Sequence, residues 1–232
     1  MNRDRLIGTI AGIIAETPSA DPLRVAVDGV DAAGKTVFAN ELAKALGSTH
    51  RQVIRASVDG FHLPKAVRRQ QGPLSPEGFY MDSYNYPALI ELLLLPLSLN
   101  GDRQYRTAVF DVRRDRAVQV PWQTAENDAI LVFDGIFLLR PALLPYWDLT
   151  IFLHADFENT IARGVARDRS LFQSEDEARH RYEQRYIPGQ KIYFIDAHPL
   201  DKADILIDNN ILEDPEIINK LETSQRTDHR KE

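Results

Sequence analysis

The chain contains no cysteine. This removes disulfide frameworks, zinc–thiolate sites and thiol nucleophiles from consideration, and it suits a reducing cytoplasm. A long apolar run is missing as well. The longest, Leu92 to Leu95 with Leu97 beyond Pro96, is far too short to span a bilayer. The N-terminal stretch from Leu6 to Ile14 follows Arg3 and Arg5 but is interrupted by Gly8, Thr9 and Gly12. Without a small-residue cleavage pattern it reads as an amphipathic helix, with Ile7, Ile10, Ile13 and Ile14 as its stripe, and not as a leader. An excess of positive charge is also absent: the formal net charge of −6 excludes the basic footprint that duplex nucleic acid requires. No repeat and no linker divide the 232 residues, which fit one large α/β domain over 1–222. The wholly polar stretch 223–232 is expected to fray. These absences point to a cytoplasmic protein with neither membrane nor nucleic acid as partner, and they leave a homo-oligomer open.

What the chain does carry begins at residues 29–36, which read G-V-D-A-A-G-K-T and match G-x-x-x-x-G-K-[ST] in full. Upstream, residues 23–27 form an aliphatic run of buried-strand type. Downstream, Val37, Phe38, Leu42, Ala45 and Leu46 fall at helical spacing and stop near Gly47. A strand, a glycine loop and a helix N-terminus in that order aim backbone N–H groups and the positive dipole end at one spot, which suits a polyphosphate. Gly29 and Gly34 let the backbone curl, Lys35 reaches the β/γ-phosphates and the Thr36 hydroxyl ligates Mg²⁺. Val30, Asp31, Ala32, Ala33 and Val37 complete the expected nucleotide-binding segment. For Asp31 two readings stand: a contact to a second substrate, or a loop residue pointing away from the phosphates.

Further along, residues 53–58 read as a strand ending in Asp59-Gly60-Phe61-His62. Residues 64–87 are rich in turn signals, yet Phe79, Tyr80, Tyr84 and Tyr86 favour a folded binding loop over disorder. Pro87 suits the first turn of a helix through Leu95. A strand is expected over 105–112, paired with another near 117–120. Residues 129–133 and 149–153 are buried strands, and a helix is expected over 157–169. Ser174 and Glu177 form a capping box opening a further helix, and residues 203–207 are a last strand. Strands alternating with helices imply a parallel sheet covered on both faces, with ligands at its carboxyl ends. Three of those ends carry a carboxylate: Asp28, Asp59 and Asp134.

The chain resembles the uridine kinase, phosphoribulokinase and pantothenate kinase group of P-loop kinases. The likeness rests on the glycine loop at 29–36, S-V-D-G-F-H at 57–62, L-V-F-D-G-I-F at 131–137 and A-R-G-V-A-R-D-R at 162–169, in the group's order, and extends from Arg24 to Asn209. It implies a three-layer P-loop NTPase fold, a parallel sheet flanked by helices with a small arginine-bearing lid. It also implies ATP and Mg²⁺ as cofactors, and transfer of the γ-phosphate to a hydroxyl of a small metabolite of nucleoside, sugar or pantothenate type. Asp59 matches the group's proton-accepting carboxylate, the alternative being a turn cap before Gly60. Asp134 matches the metal-holding position, where uridine kinases tend to carry Glu, and again a turn cap is the alternative. Arg163 and Arg167 share one helix face and match the lid arginines that clamp phosphates, against the alternative of a solvated basic face. Gly164 stands where the group often has a further arginine.

For the acceptor, Phe61, His62, Tyr84, Asn85, Tyr105, Phe110 and Arg113 are the candidate lining. Two departures tell against uridine: no histidine follows the 105–112 strand, and Asn85 stands where a ribose-binding Asp is common. Arg113, Arg114 and Arg116 occupy that stretch instead. They suit a carboxylate or phosphate on the acceptor, unless they line a solvated hairpin. A P-loop GTPase or regulatory switch is the competing class. It needs a guanine-reading N-K-x-D, and the chain's one N-K, at Asn219-Lys220, leads to Glu222.

Overall fold

The computed structural model describes residues 2–169, 172 and 174–220; the polar stretch 223–232 lies outside them. Six strands form the central sheet: β1 (Leu23–Gly29), β2 (Val53–Ser57), β3 (Ile130–Asp134), β4 (Leu149–His154), β5 (Ile205–Asp208) and β6 (Glu216–Lys220). Their order across the sheet is β6-β5-β4-β1-β3-β2. Neighbours from β5 to β2 run parallel, with Val25 opposite both Val132 and Leu149; β6 closes one edge antiparallel to β5. The interior strand β3 is buried at every position, whereas the edge strand β2 beside it alternates buried and half-buried residues. That contrast is what a sheet covered on both faces requires of its middle and its rim.

Helix α1 (Arg3–Glu16) starts where the Asn2 side chain accepts a hydrogen bond from the Arg5 N–H, and it buries Leu6, Ile10 and Ile14 completely. It packs on α2 (Lys35–Leu46), which buries Phe38, Ala39, Leu42 and Leu46 between it and the sheet. Each of the larger side chains contributes about 1.5–3 kcal/mol on leaving water. The segment expected to be a folded binding loop carries a turn of helix at Lys65–Arg68 and then α3 (Pro76–Asp82), which Ser75 caps by accepting from the Gly78 N–H. Helix α4 (Tyr86–Leu89) runs on into a π-helical turn at Ile90–Leu94. Helix α5 (Phe157–Asp168) and α6 (Glu175–Arg181) carry the arginines; Ser174 caps α6 by accepting from the Glu177 N–H, as the capping box predicts. A second π-helical turn, Tyr182–Tyr186, joins α6 to α7 (Ile187–Ala197). Helix α7 packs on α3 and sets Phe194 edge-on against Phe152 of the sheet.

Two expectations need correction. The strand expected over 105–112 is two separate ladders of two residues: Gln104–Tyr105 pairs with Gln123–Thr124, and Phe110–Asp111 with Arg116–Ala117. The Asp111 carboxylate accepts from the Arg113 and Arg114 N–H groups, which turns the chain after only two paired residues. Strand β6 has no counterpart in the sequence reading. Glu216, Ile218 and Asn219 are exposed and a bulge interrupts its pairing, so it lacks the apolar alternation that marks a strand. Among the described residues no helix is long and apolar enough to cross a membrane.

Candidate active site

The glycine loop curls at the carboxyl end of β1. Gly29 has φ +152°, and a Cβ there would stand 2.4 Å from the Leu153 carbonyl oxygen of β4; Gly34 has φ +88° at the cap of α2. Only glycine meets the first of these approaches. Three side chains brace the loop. Asn209 donates to the Ala33 carbonyl at 2.6 Å, Gln190 accepts from the Asp31 N–H at 2.6 Å, and Asp28 accepts from the Gly29 N–H at 2.6 Å. Asp28 also takes the Leu138 and Leu139 N–H groups at 3.0 and 3.1 Å and the Tyr193 hydroxyl. Complete burial pushes its pKa up to about 6 against the pull of those hydrogen bonds and of Lys35. Asp28 is therefore a brace beneath the loop and lines neither cleft described below.

The Lys35 ammonium donates to the Val30 carbonyl at 2.7 Å. Burial lowers its pKa, opposed by Asp31, Asp28 and Asp134. Thr36 Oγ1 donates to Asp134 Oδ2 at 2.6 Å, while Arg55 Nη2 holds Asp134 Oδ1 at 2.6 Å and Arg55 Nε reaches Asn40 at 2.9 Å. Hydroxyl and carboxylate thus meet at the head of α2, the arrangement Mg²⁺ uses when phosphates supply its other oxygens.

Two clefts open here. The first, about 330 Å³, is walled by Lys35, Thr36, Asp59, Asp134, Arg163 and Arg167, with Val37 and Leu212 also at its lining. The second, about 320 Å³, holds His62, Arg68, Arg69, Phe79, Arg181 and Arg185. Asp31, Tyr84, Ile136 and Arg167 line both. At the junction Asp59, 68 % exposed, faces His62 Nε2 at 3.4 Å. His62 Nδ1 lies 3.1 Å from the Ser83 carbonyl, to which it donates, and the ring stacks on Tyr84 at 4.6 Å. Partial burial alone would raise the Asp59 pKa; the hydrogen bond and charge of His62, backed by Lys35 and Arg167, outweigh it and hold the carboxyl below its usual value.

Arg167 chelates Asp168 at 2.7 and 2.9 Å and reaches Asp31 at 3.3 Å. The Asp168 contact raises its pKa against partial burial. Asp31 consequently faces the junction of the clefts and does not point away from it. Arg163 donates to the Asn209 carbonyl at 3.1 Å and to the Asn210 carbonyl. Gly164, the departure in this helix, has a physical reason: a Cβ there would lie 2.2 Å from the Tyr182 ring, whose hydroxyl donates to Asp168 at 2.9 Å.

Of the nucleotide-segment residues, Asp31, Ala32, Gly34, Lys35, Thr36 and Val37 line the first cleft, while Gly29, Val30 and Ala33 stand behind it. Of the acceptor residues, His62 and Tyr84 line the second cleft and the others do not. Phe61 is fully buried against Phe133, because residue 61 ends a 3₁₀ turn that swings it into the core. Asn85 caps α4 through the Ala88 N–H at 3.1 Å. Tyr105 is buried in its ladder and bonds Gln123 at 3.0 Å, and Phe110 is buried in the other. Arg113 is exposed on the turn, as are Arg114 and Arg116, so the hairpin is solvated there. Sequence reasoning missed Arg55, Arg68, Arg69, Arg181, Arg185, Gln190 and Asn209. Arginines on short polar helices look like solvent-facing charge until the fold assembles them.

The sheet order, the braced glycine loop and the Thr36–Asp134 pair define a three-layer P-loop kinase fold. From residue 24 to residue 211 the sequence matches the cytidylate kinase-like family, and the chain belongs to that family. It is 28 % identical over 180 residues to a pantothenate kinase of Mesorhizobium japonicum, covering 70 % of this chain and 56 % of that protein. The chain thus spans about half the length of the curated relatives it matches. Among solved structures, a possible uridine kinase from Bacillus stearothermophilus superposes with a TM-score of 0.70 at 20 % identity, over 88 % of this chain and 97 % of that one. The D-glycerate 3-kinase of Cryptococcus neoformans superposes with a TM-score of 0.61 at 14 % identity, over 92 % and 99 %. At such identities the likeness is one of fold.

Proposed function

We propose that the chain is an ATP-dependent phosphotransferase that moves the γ-phosphate of ATP to a hydroxyl of a small metabolite. The observation that carries this reading is the meeting of two clefts at Asp59 and His62, one built on the phosphate loop and the other large enough for a small acceptor. The triphosphate lies along the loop N–H groups, and Lys35 exchanges the Val30 carbonyl for phosphoryl oxygens. Leu212 and the guanidinium plane of Arg163 offer the base an apolar and stacking surface. Thr36 and Asp134 would hold Mg²⁺, which when bound neutralises charge on the phosphates.

The acceptor enters from the second cleft and presents its hydroxyl to Asp59. The carboxylate accepts that hydrogen bond and takes the proton as the new O–P bond forms. Its depressed pKa keeps it ionised and ready at neutral pH. His62, fixed by Ser83 and Tyr84, orients it. Arg167 spreads over the transferring phosphoryl group, where guanidinium donors stabilise developing charge, while Arg163 keeps to the Asn209 and Asn210 carbonyls beside the base.

The test is ADP release with ATP and Mg²⁺ across nucleosides, pantothenate, sugars and sugar phosphates. Turnover stimulated well above basal hydrolysis by one of them is expected. Tight GDP retention with no stimulated turnover would make the protein a nucleotide switch.

A further inference from the structure

We propose that the second cleft takes an anionic acceptor, a small hydroxyl compound whose carboxylate or phosphate is held by Arg68, Arg69 and Arg181. This rests on the kinase reading above and goes beyond it in naming the acceptor's chemistry.

Five arginines line that cleft against two carboxylates, Asp31 and Asp168. Both carboxylates are already engaged with Arg167. The remaining four guanidinium groups therefore share a cleft of about 320 Å³ whose own acids are spent. Two segments bring them together. Arg68 and Arg69 end the Lys65–Arg68 turn of helix, and Arg181 and Arg185 lie on α6 and the π-helical turn after it. Arg185 clips the segments to each other, donating to the carbonyls of Arg68 at 3.1 Å, Pro73 at 3.0 Å and Gly72 at 3.3 Å. Burial lowers its pKa, and repulsion from Arg69, Arg181 and Arg68 lowers it further.

The other three have donors to spare. Arg68 spends its Nε on the Leu63 carbonyl at 2.8 Å and touches Asp115 only at 3.4 Å. Arg69 is exposed and pairs with no carboxylate among the described residues. Arg181 reaches Glu177 at 3.3 Å, but its Nε is buried with no acceptor. Arg181 lines the cleft with its guanidinium over the Phe172 ring at 5.1 Å, and buried donors are otherwise satisfied in the great majority of cases, so its hydrogen-bonding capacity is only part used. Fork-shaped donors at the far wall, with Asp59 and His62 at the junction, suit an anionic group at one end of the acceptor and the reacting hydroxyl at the other. Phe79, Tyr186 and Val112 supply an apolar wall between.

The experiment fills the first cleft with Mg²⁺ and a non-hydrolysable ATP analogue. Charged and neutral twins are then titrated by calorimetry: glycerate with glyceramide, ribose 5-phosphate with ribose, CMP with cytidine. At least one charged member should bind about tenfold or more tighter than its twin. Arg69→Ala and Arg181→Gln should each weaken it by about 10–100-fold, the worth of a hydrogen bond to a charged group, with affinity for the ATP analogue unchanged. The carboxylate and phosphate pairs tell which anion the site reads. If no charged compound binds better than its twin, or if the charge reversal Arg69→Glu leaves binding unaltered in a folded protein, the inference is wrong. Turnover separates it from the kinase reading. A neutral twin phosphorylated as well as its charged partner overturns the inference and leaves the kinase standing; arginine-dependent anion binding without turnover of any compound does the reverse.

Discussion

The two clefts share four lining residues and are close in volume, yet they are built by different means. The first is organised around backbone: a loop of eight consecutive residues at the end of β1, with a hydroxyl and a carboxylate beside it. The second is mostly side chain, with arginines contributed by segments more than 100 residues apart and tied by one buried guanidinium. A backbone-made site has to be written contiguously, since consecutive N–H groups must converge, and it therefore leaves a motif. A site made of side chains can draw its charges from anywhere the fold allows.

The sharpest way to break this contrast is at Lys35, the loop's own cation. Lys35→Ala should lower phosphoryl transfer by about 10³ or more, with circular dichroism unchanged, because the ammonium serves ligand and not core. Near wild-type ADP release from the variant would remove the first cleft from the chemistry. At the junction, Asp59→Asn should reduce kcat by about 10²–10⁴ while ATP affinity barely changes. If affinity for ATP drops and kcat holds, Asp59 belongs to the metal and not to the acceptor.

Beneath the loop, Asp28 makes a pH prediction. Its folded pKa of about 6 exceeds the ordinary 3.8, so the native state holds this proton more tightly than the unfolded chain. Stability is fully present below pH 3.8 and falls as pH rises to about 6, by about 3 kcal/mol. Denaturant midpoints of Asp28→Asn, measured from pH 4 upward, should lack this decline; parallel profiles for the two proteins would refute the assignment. On α5, Gly164→Ala should destabilise by about 1–3 kcal/mol, although alanine favours helices, because its Cβ overlaps the Tyr182 ring. An unchanged or raised melting temperature would show that Tyr182 yields without cost. The smallest effect is expected at Arg113: exposed on its turn, it can become alanine with acceptor KM altered less than about twofold. A larger rise would return the hairpin to the acceptor site.

These differences also mark what could be read from the chain beforehand. β1, β3 and β4 are aliphatic because both of their faces are covered, and that alone located them within a residue or two. Thr36 and Asp134 were legible because each sits at a fixed place relative to the loop or a strand end. Arg163 and Arg167 followed from helical spacing and do share the first cleft. Phe61, Tyr105 and Phe110 misled, since an aromatic side chain near a site is chemically the same whether it walls a pocket or fills the core. The positive charge anticipated at Arg113 sits instead at Arg68, Arg69 and Arg181, because which of several surface arginines converge is decided by tertiary packing around Arg185. β6 stayed invisible because Ile217 packs on the core between exposed Glu216 and Ile218, too little to leave an apolar pattern.

Asn209 has a consequence for the order in which the molecule becomes competent. Its amide reaches back 176 positions to the Ala33 carbonyl, and Arg3 reaches forward from α1 to the Leu212 carbonyl at 3.0 Å. During synthesis the glycine loop emerges before its strut, and it stays without that strut until residue 209 has also left the ribosome. Nucleotide, arriving on a nascent chain, meets the motif long before it meets the site. Premature termination anywhere ahead of residue 209 would therefore leave a fragment that carries the phosphate signature and lacks this grip on it.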